Sequence, residues 1–243
     1  MSRQRPMIDL EDIRNRARRD LVVATGQGAE DIYLWERSLR VTDAAFKIAS
    51  LPELTKHAYD PAVLTITGLY HDAGWISQYN DGEIAREQIG CKLTSPVQRE
   101  LGAALMERSL QEVVPADTLR VASTAIRSLN DHDVDIYEAQ LVADAANLDA
   151  FGALGLWHLA RKHTNEGRGL AAAIETWQAQ KQYGYWSARV KDSLRFAAVK
   201  RIAQERLAVF DRMIQQLAAH HQGADIGAGV LEPAEARDMP DIA

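Results

Sequence analysis

Adjacent His71 and Asp72 set an imidazole nitrogen beside a carboxylate oxygen, a donor pair that suits half of a divalent-metal site. They close an apolar run from Ala62 to Gly74, in which Val63, Leu64, Ile66, Leu69 and Tyr70 leave no polar face. Such a run reads as a core helix, and a buried helix can deliver a histidine and an aspartate only if both find partners. Further candidates are the carboxylate of Asp144 and the guanidinium groups of Arg37 and Arg40. Trp35 and Trp75 flank these residues and are expected to contribute an apolar wall for a substrate. Trp157, Tyr183, Tyr185 and Trp186 are weaker candidates for the same lining. His57, His158 and His163 are scattered over helix faces and ends, and read as solvated or core histidines. His220 and His221 suit the C-terminal dipole of the last helix. Gly26 and Gly28 lie outside any GxxxxGK[ST] pattern, so the segment reads as a turn.

Helices must position these groups. The 243 residues are 47% hydrophobic but only 7% aromatic, and Ala, Leu, Arg, Glu and Gln are frequent, which favours helix over sheet. Helical spacing predicts segments over residues 8–24 and 29–49, and Asp60-Pro61 is an N-cap with proline at the first helical position. Residues 75–95 read as irregular, and helices follow over 96–113 and 117–130, the second with Asp117 as its cap. A long helical stretch over 136–163 bends near Gly152 and Gly155, and another helix runs to about residue 180 after the break at 165–169. One long amphipathic helix is expected over 187–221. The reading is an all-α fold: a helix and turn over 1–28, a compact helical domain over 29–221, and a flexible tail over 222–243.

The order and spacing of these segments resemble the HD superfamily of metal-dependent phosphohydrolases, over roughly residues 29–218. Gly68-Leu69-Tyr70-His71-Asp72-Ala73-Gly74 is similar to the superfamily's His-Asp hallmark, and Arg37-Ser38-Leu39-Arg40-Val41 to its earlier helix ending in Arg-Val. Leu141-Val142-Ala143-Asp144 through Gly152 is similar to the segment that carries the last aspartate. Position by position, the resemblance implies His71, Asp72 and Asp144 as metal ligands, while the early histidine falls on Arg37. A guanidinium has no lone pair to give a metal. Further departures fall on Gln98, on Leu129 and on Ala146, the last standing where many relatives carry an acid.

Two functional classes follow. In one, Arg37 replaces the ion, forming fork-like hydrogen bonds to Asp72 or Asp144, and the pocket binds a small molecule or runs metal-free acid–base chemistry as a lyase or isomerase with His71 as proton carrier. In the other, the resemblance implies a metal-dependent phosphohydrolase of a nucleotide or other phosphate ester, with Arg37 or Arg40 on the phosphate. A third possibility is a non-catalytic scaffold. The first class needs no tightly bound cofactor; the second needs one divalent ion, Mg, Mn, Fe or Zn. Interspersed charges summing to −6 argue against a nucleic-acid polymer as partner. The lone Cys91 and the absence of a membrane-length apolar run make cytoplasm the expected location, with the oligomeric state open.

Overall fold

The computed structural model describes residues 8–26 and 28–226, so most of the expected tail, with residues 1–7, lies outside the described residues. The first helix, α1 (Leu10–Leu21), is capped by the Asp9 carboxylate, which accepts from the backbone N–H groups of Glu11 and Asp12. Two short strands, Val23–Ala24 and Glu30–Asp31, then pair antiparallel across the predicted turn. They delay the next helix, so α2 spans Tyr33–Ala49 rather than starting at residue 29.

Asp60 caps α3 (Pro61–Tyr70), with Pro61 in the first turn as expected. Every residue of α3 from Ala62 to Tyr70 is buried, because the helix lies between two cores. Leu64 faces one core, with Val41, Ala45, Leu141, Trp177 and Phe210. Val63, Ile66, Leu69 and Tyr70 face the other, with Ile13, Leu21, Met106 and Ile126. Burial on all sides is why the run lacks a polar face.

Helix α3 stops at the His-Asp pair, and α4 (Gly74–Asn80) starts at once, so the stretch expected to be irregular opens with a helix. A 3-10 turn at Arg86–Gln88 precedes α5 (Pro96–Leu110), whose Ser95 and Gln98 form a capping box. Gly74 permits the α4–α5 contact: a Cβ there would lie 1.8 Å from the Gln98 carbonyl oxygen. Helix α6 spans Ala116–Arg127 with Pro115 at its cap, so Asp117 sits in the first turn instead of capping it.

The long stretch over 136–163 is two helices, α7 (Tyr137–Leu148) and α8 (Ala153–Asn165). Gly152 separates them with φ +75°, a left-handed conformation that glycine adopts without strain. After α9 (Leu170–Gln182), the helix expected over 187–221 is also two: α10 (Tyr185–Ser193) and α11 (Ala197–Gln222). The break at 194–196 holds no glycine or proline. It is held open by Asp144, whose carboxylate accepts from the backbone N–H of Arg195 (2.8 and 3.0 Å) and of Phe196 (3.0 Å). No described helix is long and apolar enough to cross a membrane.

Candidate active site

The carboxyl end of α3 presents His71 and Asp72 to a cavity of about 450 Å³ whose walls come from α2, α5, α7, α8, α9, α10 and the loop before α5. The His71 Nδ1–H donates to the Gly68 carbonyl oxygen at 2.8 Å, which fixes the proton on that nitrogen. Its Nε2 therefore carries a bare lone pair, buried and without a hydrogen-bond partner. Although Nε2 lies 3.3 Å from Asp72 Oδ2, two acceptors face each other and no bond forms. Burial and the neighbouring Arg37 push the imidazole pKa down to about 3, so the ring is neutral.

Arg37, from α2, ties the site together. Its Nη1 pairs with Asp72 Oδ2 and its Nε lies 3.5 Å from Asp149 Oδ2. The other Asp72 oxygen accepts from the Thr94 hydroxyl. Asp149, in the turn after α7, is the most heavily partnered acid of the site. Arg40 donates to both of its oxygens (2.7 and 3.1 Å), and His158 Nε2 donates at 2.8 Å. Burial alone would raise the Asp149 pKa; the bonds from His158 and Arg40, with the charge of Arg37, overturn that and hold it well below the usual carboxylate range. The His158 Nδ1 in turn accepts from the Tyr33 hydroxyl at 3.0 Å. Arg161 lies over the Tyr33 ring, 3.6 Å from its centroid.

The structure thus brings together Arg37, His71 and Asp72, with Arg40 bracing Asp149 from behind. It does not bring Asp144 to them. That side chain is wholly buried against the break before α11, where burial raises its pKa despite the two backbone N–H partners. The carboxylate facing Arg37 is Asp149, five residues on. Trp75 is buried in the core with Ile13 and Tyr70, and Trp35 packs on that core from outside, so neither lines the cavity. Gln98 donates to Gln78 and completes the α5 cap, and Ala146 lines the cavity without any donor. Among the described residues, no group of three or more His, Cys, Asp and Glu side chains is arranged to hold a metal ion.

Sequence reasoning missed Tyr33, Asp149 and His158. The available signal was spacing: Tyr33 precedes Arg37 by one helical turn and shares its face. It also missed the charge of the cavity. Arg37, Lys92, Arg99, Arg161, Lys162 and Arg189 line it, against only Asp72 and Asp149. Arg99 is 8% exposed and donates only to the carbonyl oxygens of Arg127 and Thr94, with no carboxylate partner among the described residues.

Solved structures share this architecture. Bacillus subtilis YpgQ in complex with ADP is 18% identical, covering 90% of this chain and 99% of that one, with a TM-score of 0.54. A predicted HD superfamily hydrolase from an uncultured Thermotogales bacterium is 17% identical, covering 87% of this chain and 92% of that one, with a TM-score of 0.53. The chain has an HD-domain-like fold. A Lactobacillus plantarum protein is similar to the same extent, at 18% identity over 89% of this chain and 100% of that one, with a TM-score of 0.53. No family model matches the chain, and no curated protein sequence matches it at significance. His71 and Asp72, at the end of α3, line the cavity in this fold.

Proposed function

We propose that this divergent HD-fold protein takes a small organic anion in its cavity and works without a resident metal, by binding or by metal-free acid–base chemistry. The observation that carries this reading is the Arg37 guanidinium held between Asp72 and Asp149. A divalent ion does not fit the donors as they stand. Of the three ligands that the resemblance implied, Asp144 is engaged elsewhere, and Arg37 puts a fixed positive charge beside the other two. What remains of a metal site is the free Nε2 lone pair of His71 next to Asp72.

The charge of the wall supports an anionic ligand. Six cationic side chains against two carboxylates leave a positive cavity in a chain whose net charge is −6. Both carboxylates already have cationic partners, whereas Arg99, Arg161 and Arg189 have no carboxylate partner among the described residues. Arg99 is the buried one of the three, and a buried cation without a counter-charge is expensive, a cost that an anionic ligand offsets. The ADP in the YpgQ structure belongs to this chemical class.

The test is thermal unfolding of the purified, untagged chain with ADP or pyrophosphate, in EDTA and with added Mg²⁺, Mn²⁺, Fe²⁺ or Zn²⁺, alongside its metal content by mass spectrometry. The expected result is a melting temperature raised by several degrees in EDTA, as a ligand at 100 times its Kd supplies about 2.7 kcal/mol. Near-stoichiometric retained metal, or hydrolysis of phosphate esters strictly dependent on added metal, would overturn the reading in favour of a metal-dependent phosphohydrolase.

A further inference from the structure

His71 is poorly placed to carry a proton in such chemistry. Its Nδ1–H is committed to the Gly68 carbonyl oxygen, and the ring is 2% exposed with the Arg37 charge beside it. A second hydrogen-bonded chain opens on the same cavity. Asp149, clamped by Arg40, accepts from His158 Nε2 at 2.8 Å, which fixes the imidazole proton on that nitrogen. Nδ1 is then a lone pair, and the only proton available to fill the 3.0 Å contact is that of the Tyr33 hydroxyl. The connectivity is hydroxyl, imidazole, carboxylate, with both links inside the range that marks a hydroxyl activated by an oriented base.

The placement argues for chemistry rather than bracing alone. Tyr33, Asp149 and His158 all line the cavity, which sets the three side chains beside whatever occupies it. Arg161 covers the Tyr33 ring at 3.6 Å; burial, helped by the charge of Asp149, holds the phenol above its ordinary pKa, and the charges of Arg37 and Arg161 offset part of that rise. The ring of His158 meets that of Tyr33 edge-on, at 85° and 6.0 Å between centroids, which holds its orientation.

We propose that Tyr33, His158 and Asp149 form an acid–base triad that moves a proton on an organic anion bearing a weakly acidic C–H or O–H group. This rests on the reading above that the cavity takes an anion. In the step, the substrate X–H bond breaks and its proton joins the Tyr33 oxygen. The phenol's own proton passes to His158 Nδ1, and the electron pair stays on the substrate beside Arg37 and Arg161. Asp149 stabilises the imidazolium, and Arg40 is a positioning residue for Asp149. Return of the proton to a different atom completes an isomerisation, and loss of a leaving group completes an elimination.

The test uses the full chain and 4-(fluorosulfonyl)benzoic acid, an anionic electrophile that reports activated phenols. Tyr33 displaces fluoride, an O–S bond forms as S–F breaks, and the phenol proton goes to His158. Peptide mass spectrometry should find Tyr33 labelled at least roughly tenfold faster than Tyr183, which is 83% exposed. His158→Gln should remove that advantage while leaving Tyr183 labelling unchanged. Labelling of Tyr183 without Tyr33 overturns the triad. Nitrogen-15 NMR of the histidines in the unmodified protein tests it independently of any variant: His158 protonated on Nε2 supports it, and protonation on Nδ1 overturns it. If Tyr33 reacts but ADP and pyrophosphate do not stabilise the protein, the anion reading fails and takes the anionic substrate with it, while the activated Tyr33 hydroxyl stands. If they stabilise it and Tyr33 is inert, the triad fails alone.

Discussion

Arg37 sets two carboxylates at once, and its removal leaves Asp72, 4% exposed, with only the Thr94 hydroxyl as a donor. Breaking a buried pair from one side is the costly direction. Arg37→Met should lower unfolding stability in urea by about 3 kcal/mol, and Asp72→Asn in the same chain should recover more than half of it. Asp149 gives a pH signature. Its folded pKa is depressed, so its stabilisation is present above the ordinary carboxyl value near 4 and drains away as pH falls below it. Asp149→Asn should therefore flatten the acid side of a stability–pH curve below about 4 and lower the plateau above it. The position of Arg37 was legible because the His-Asp and Arg-Val motifs fix the register of α2 and α3. The partner carboxylate was not. Asp144 and Asp149 both sit in the right segment, and only the end of α7 at Leu148 decides which one turns toward Arg37. The contacts of Tyr33 with His158 and of Arg40 with Asp149 join residues more than 100 positions apart, beyond any local pattern.

Among the elements, the break between α10 and α11 was unreadable because Leu194, Arg195 and Phe196 are ordinary helix residues. A tertiary acceptor, Asp144, offers their N–H groups a better partner than the helix would. Asp144→Ala should cost about 1–3 kcal/mol, the penalty for orphaned buried donors. Amide hydrogen exchange should speed up at Arg195 and Phe196 before it does in α3. Between α7 and α8 the sequence announced a bend near Gly152, and the structure makes it a full break, because Gly152 takes a conformation that other residues avoid. The same logic explains α4, which was missed: its sequence, Gly74-Trp75-Ile76-Ser77, has little helical preference and is helical because α5 packs against it across Gly74.

At the scale of the whole molecule, the all-α fold was readable because an apolar helix, a His-Asp pair and a late acidic segment occur in a recognisable order. The field inside the cavity was not readable. Its six cations come from α2, α5, α8, α10 and one loop, and their convergence is a property of the packing alone. A positive cleft in an acidic chain should steer anions over short range only. Association of ADP or pyrophosphate, followed by stopped-flow fluorescence, should slow as salt rises from 0.01 to 0.15 M, where the screening length shrinks from about 30 to about 8 Å. On the proposed metal-free reading, the arrangement at Arg37 also changes what the surroundings can control. An ion drawn from solution occupies its place only as often as its supply allows, and a chelator or a scarce diet removes it. A guanidinium joined to the backbone is delivered with the polypeptide, at full occupancy in every copy, and its charge between Asp72 and Asp149 is indifferent to how much magnesium or iron surrounds it.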